Sequence, residues 1–164
     1  MSGDEQDLAA FYVAFYPRLV TALCVPARDR VEAEDAGQEA FARMIRTGRW
    51  GSLSAPEAWL YTVGVNVLRS RWRKLIQARD RAHLVGDRAT HAHDDDLSAE
   101  SLDLREALRE LPSRYRDPLV MFYLLDLPIA RIAEETRSSV GTVKSQLSRG
   151  RQILATRLAE VTIR

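Results

Sequence analysis

The chain has 164 residues, 46% hydrophobic and 29% charged, enough for one ordinary domain or two small ones that would each be marginal alone. Its one cysteine, Cys24, excludes an internal disulfide and a cysteine zinc cage, and fits a reducing, cytoplasmic setting. The net charge is +1, the first residues (Met1-Ser2-Gly3-Asp4-Glu5) are acidic, and no apolar run approaches the roughly 20 residues that cross a bilayer, so neither a signal peptide nor a membrane span is expected.

Charge falls in blocks. Residues 1–40 carry three basic and eight acidic side chains, residues 41–82 nine and two, residues 83–106 two and seven, and residues 127–164 seven and three. A basic block is the footprint of a surface that meets phosphates, although a charge run in isolation is more often a solvated face.

In chain order, Leu8, Phe11, Tyr12, Phe15 and Leu19 recur at helical spacing and predict an amphipathic helix over 8–24. Pro26 and Asp29 mark a break. A second helix spans 31–48, ended by Gly48. Its Ala33, Gly37, Ala40, Phe41 and Met44 form a buried face, and Asp35, Gln38, Glu39, Ala42 and Arg46 an outer one. Ser54-Ala55-Pro56-Glu57 matches a capping box and opens a long helix to about residue 78. On it Leu60, Val63 and Val67 point one way, and Thr62, Asn66, Arg69 and Arg73 form a polar stripe ending in cations. Trp59, Tyr61 and Trp72 add aromatic surface, and rings beside arginines suit single-stranded nucleic acid. For Trp59 and Tyr61 the competing reading is core.

Residues 83–101, with His83, His91, His93 and the run Asp94-Asp95-Asp96, read as a flexible acidic linker. His91 and His93 lack partners for a metal site. Helices resume over 102–110, then over 114–125 with Ser113 as N-cap, and over 129–135 and 140–159. No strand pattern and no repeat is visible. The expected fold is all-α: two small helical domains, 1–80 and 103–164, joined by a linker at 81–102.

The last two helices have the form of a helix-turn-helix. Ile129, Ile132 and Ala133 face inward, and Thr136-Arg137-Ser138-Ser139 is the turn, with Ser139 capping the second helix. Val140, Val143, Leu147 and Leu154 fall on one side and are expected to be buried. Thr142, Ser145, Gln146, Ser148 and Arg149 face outward, able to reach base edges, and Lys144 and Arg151 flank them for phosphates. An ordinary bundle helix is the plainer alternative.

The run from Gly141-Thr142-Val143-Lys144-Ser145-Gln146-Leu147-Ser148-Arg149-Gly150-Arg151, with its prelude at Leu111-Pro112 and Ala130-Arg131-Ile132-Ala133, resembles region four of sigma factors. Ala33-Glu34-Asp35-Ala36-Gly37-Gln38-Glu39-Ala40-Phe41 resembles region two, and Trp59 to Lys74 resembles its promoter-reading segment. Gln146 and Val65 stand where the family usually has arginine, and Gly37 where an apolar residue is commoner. The two regions in this order, without the family's middle domain, resemble the extracytoplasmic-function group. The resemblance implies a transcription initiation factor, not an enzyme, with no cofactor and no metal. It implies that Asp35, Gln38, Glu39 and Arg46 dock on the beta-prime clamp helices of core RNA polymerase, with a further contact to the beta flap. Thr62, Asn66, Arg69, Trp72 and Arg73 would serve the minus-ten element. Ser139, Thr142, Lys144, Ser145, Gln146, Arg149 and Arg151 would serve the minus-thirty-five element. An anti-sigma protein is a further partner of the family, and the free chain is expected to be a monomer. The rival readings are a homodimeric helix-turn-helix repressor, which leaves the first domain's motifs idle, a helical metal-dependent hydrolase, which lacks convergent ligands and a phosphate loop, and a pure protein adaptor.

Overall fold

In the computed structural model, which describes residues 3–82 and 98–163, seven α-helices and one 3-10 turn follow one another, with no strand among the described residues. These residues divide into two compact units: 3–53 with 60–82, and 54–59 with 98–163.

In the first unit α1 runs Gly3–Leu23, opened by Asp4 and Glu5, whose charges complement the helix N-terminus. It begins earlier than the periodicity suggests. Phe15, Leu19, Val20, Ala22 and Leu23 are its buried face. α2 runs Arg30–Arg46. Asp29 caps it by accepting from Glu32 N, and Gly48 follows at φ 62, a left-handed conformation suited to glycine. Phe11, Phe15, Phe41 and Trp50 form an aromatic cluster, with Phe11 4.8 Å from Trp50 and 5.2 Å from Phe15. α3 runs Pro56–Ala82. The carbonyl of Ala55 accepts from Trp59 N at 3.2 Å, so the cap lies one residue beyond Ser54 and Pro56 takes the first helical position, where its missing N–H costs nothing.

In the second unit α4 runs Ala99–Arg109 and is capped by Ser98, which accepts from Ser101 N at 3.2 Å. Helices therefore take in both ends of the expected 81–102 linker. His83, His91, His93 and the acidic run to Leu97 lie outside the described residues, and the linker reading of 83–97 with them. α5 runs Ser113–Tyr123, and Pro112, not Ser113, occupies its cap position. α6 runs Ile129–Thr136 and α7 Val140–Thr162. Between these two, Arg137 adopts φ 53 and ψ 42, and Ser138 N bonds back to Ala133 O at 2.9 Å. A left-handed residue here ends α6 sharply and sets the tight turn.

The core of this unit is apolar: Leu108, Leu111, Leu119, Val120, Met121, Leu125, Ile132, Val143 and Leu147. Gly150 lets α7 approach α5 closely, since a Cβ there would lie 2.8 Å from Leu119 Cδ1. The expected back of α7 needs one correction. Val143 and Leu147 are buried, but Val140 is 43% exposed, being the first residue of its helix with no turn before it to pack against. Leu154 is half-buried. Among the described residues no side chain of the core is polar or charged, and no helix is long and apolar enough to cross a membrane.

Candidate functional site

Three polar faces carry the residues singled out by sequence. The first lies on α2. Ala33, Gly37, Ala40, Phe41 and Met44 are buried, as the 3.6-residue period requires. Asp35 and Gln38 therefore face solvent. Gly37 accommodates the ring of Tyr16, whose Cε2 lies 3.3 Å from where a Cβ would sit. The Tyr16 hydroxyl donates to Glu34 O at 3.3 Å. Burial pushes this phenol up from its ordinary value, opposed by a hydrogen bond with the Gln38 side chain. Glu39 is occupied: it accepts from Arg43 Nε at 2.8 Å and Arg46 Nη2 at 3.1 Å. Those two guanidinium bonds, Arg43's first, hold its carboxyl below the usual range. Arg46 is thus half of an exposed ion pair.

The second face lies on α3. Leu60 and Val67 are buried and Val63 half-buried, so the opposite stripe carries Asn66 and Arg73 exposed and Thr62 and Arg69 half-buried. The aromatic residues separate in role. Tyr61 is fully buried, so it belongs to the core and offers no surface. Trp59 is half-buried. Trp72 is half-buried and tethered, its indole Nε1 donating to Glu32 Oε1 at 2.8 Å. Arg71 extends the stripe's charge and lies 3.8 Å from Asp35, joining the α2 face to the α3 face. Glu32 and Arg71 were not singled out by sequence. Their partners lie 40 and 36 residues away, and no helical period encodes such a pairing.

The third face lies on α7. Ser139 caps the helix by accepting from Thr142 N at 3.0 Å, and the two hydroxyls lie 2.9 Å apart. Lys144, Ser145 and Arg149 are exposed, and Gln146 is half-buried. Arg151 donates to the Tyr123 hydroxyl at 3.1 Å, which steadies it beside the face. Ser139, Thr142, Gln146 and Arg149 line one groove with Arg114 and Tyr115 from the first turn of α5. The Arg114 guanidinium stacks over the Tyr115 ring at 4.8 Å from its centroid. Arg114 is a further cation that sequence reasoning left inside an apolar helix. Among the described residues no group of three or more His, Cys, Asp or Glu is placed to hold a metal.

Comparison with known proteins matches both halves of the chain. The family model for Sigma-70 region 2 matches residues 11–78, and that for Sigma-70, region 4 matches residues 101–154. The ECF RNA polymerase sigma factor SigW of Bacillus subtilis is 29% identical over 173 residues, covering 96% of this chain and 92% of the relative. The RNA polymerase sigma-H factor of Pseudomonas aeruginosa is 27% identical, covering 93% and 86%. Among solved structures, the sigma factor RpoE of Bartonella quintana, in complex with the anti-sigma factor NepR, superposes with a TM-score of 0.75. At 22% identity, and covering 94% of this chain and 98% of that one, it speaks for the fold.

Proposed function

The chain belongs to the sigma-70 family, in the extracytoplasmic-function arrangement that joins region two to region four, and from that premise we propose how its residues direct RNA polymerase to promoters. Asp35 and Gln38, exposed on α2, dock on the clamp helices of the core enzyme, with the Glu39–Arg46 pair at their margin. Thr62, Asn66, Arg69, Trp72 and Arg73 on α3 receive the minus-ten element. The α7 groove receives the minus-thirty-five element as duplex. In this reading residues 1–80 form the region-two domain, 103–164 the region-four domain, and the acidic residues 83–101 mimic nucleic acid in a cationic channel of the polymerase.

The observation that carries this reading is the segregation of faces on three helices: each has a buried apolar back and a polar front of the chemistry its target requires. Unstacking a promoter base costs a few kcal/mol, which contacts to the extruded base offset. Strand opening then draws on binding energy, and the chain needs no nucleotide hydrolysis, cofactor or catalytic residue of its own. The scattered arginines on α3 bind phosphates weakly when screened by salt, so the free protein is a poor DNA binder until the polymerase fixes both regions on one promoter. It works in the cytoplasm as a monomer, and an anti-sigma protein that covers one of these faces would silence it. A repressor would be dimeric, and would leave the α2 face without a task.

The test is in vitro transcription from promoter fragments with purified core polymerase, with and without the chain. New transcripts that disappear with Asp35→Ala or Gln38→Ala, in variants whose helicity is unchanged, support the reading. Silence, with the protein shifting duplex DNA as a dimer, overturns it.

A further inference from the structure

The groove between α7 and the first turn of α5 holds one atom out of keeping with the rest. Gln146 Oε1 is buried and has no hydrogen-bond partner, the one such side-chain atom among the described residues. A buried acceptor left unpaired is costly, and folded proteins keep few of them. Two nearby donors do not bond to it: the Arg114 guanidinium lies over Tyr115, and the Thr142 hydroxyl lies against Ser139 Oγ. Gln146 follows Thr142 by four residues and precedes Arg149 by three. The three side chains therefore share one face of α7, beside the one that buries Val143 and Leu147.

We infer that Gln146 reads an adenine in the major groove of the upstream promoter element, an inference that rests on α7 being the recognition helix. A carboxamide carries an acceptor and a donor side by side. Adenine presents the complement there, the N6 amino group beside N7, whereas guanine presents two acceptors, O6 and N7. Against adenine both halves of the amide are satisfied, and against guanine Oε1 stays unpaired. Rotation about the side-chain torsions turns the amide from the groove wall to the DNA with no change of backbone. Turned outward, Oε1 accepts from water in the free protein and from the adenine N6 amino group in the complex. The expected discrimination at that position is about tenfold to a hundredfold.

The experiment uses holoenzyme assembled from core polymerase and the full chain, on promoter templates in which each base pair of the upstream element is replaced in turn. Initiation rates are compared for the parent, Gln146→Arg and Gln146→Met. The parent should prefer adenine at one position by about tenfold or more. Gln146→Arg should move that preference to guanine, Gln146→Met should flatten it, and the other positions should keep their profile. Specific initiation with the same profile in all three proteins, or with no adenine preference in the parent, overturns this inference and leaves the sigma-factor reading standing. A parent that initiates from no template overturns both.

Discussion

Glu32→Ala tests whether α2 and α3 behave as one piece. The Glu32 carboxylate accepts from the Trp72 indole and from Arg28 N, each at 2.8 Å, and both bonds are part-buried. A hydrogen bond to a charged group contributes about 1.5–3 kcal/mol. Water reaches both freed donors after truncation, so the pair together should lose about 2 kcal/mol. For a domain of this size about 1 kcal/mol moves the midpoint by roughly 4–8 °C, which gives a fall of roughly 8–16 °C in the region-two transition. Calorimetry of the full chain measures it, and tryptophan emission follows the release of Trp72. Glu32→Gln keeps an acceptor and should recover most of the loss. Trp72→Phe should add little to Glu32→Ala, since both remove the same bond. A Glu32→Ala chain that melts within a degree or two of the parent would refute the tether.

Gly150→Ala and Gly141→Ala should shift stability in opposite directions. At Gly150 the added methyl meets Leu119 and Tyr115, and overpacking of about 1–3 kcal/mol outweighs the helix-propensity gain of about 1 kcal/mol. At exposed Gly141, where an added Cβ would lie 3.8 Å from Ser139 Oγ, only the gain remains, so thermal melts should move down and up respectively. Asp35→Asn releases Arg71 from an exposed pair worth at most about 1 kcal/mol. Binding to single-stranded oligonucleotide should tighten by no more than about fivefold at low salt and not at all at high salt. Because Glu39 has a lowered pKa in the fold, its stabilising effect is present above its unfolded pKa and is lost as pH falls through the folded value. A titration by nuclear magnetic resonance should show its carboxyl ionising at lower pH than in Arg43→Ala.

The helices and their faces were legible in the sequence because burial repeats every 3.6 residues. Ala33 to Met44, and Val143 with Leu147, lie where that period puts them. Val140 escaped the pattern because a helix end has no preceding turn to close over it. Tyr61 and Trp72 looked alike as aromatics beside arginines, yet one is core and the other is tethered by a carboxylate 40 residues earlier. Arg114 was invisible for the same reason: its membership of the α7 groove depends on how α5 packs against α7, a tertiary fact. Caps were legible to within one residue: Ser54 and Ser113 are good capping residues, but Pro56 lies two residues after Ser54 and Pro112 directly before Ser113, and the proline decides which residue begins the helix.

The final ten residues of α3, Arg73 to Ala82, are all exposed. Packing dictates little of their identity, so their helicity rests largely on intrinsic preference. Lys, Leu, Gln, Ala and Arg, which make up most of this stretch, are strong helix formers. About 15 Å of helix is thereby held out as a charged rod. A segment so built is free to change its letters in evolution while keeping its shape. Being ordered already, such a segment would lose little entropy on binding any partner.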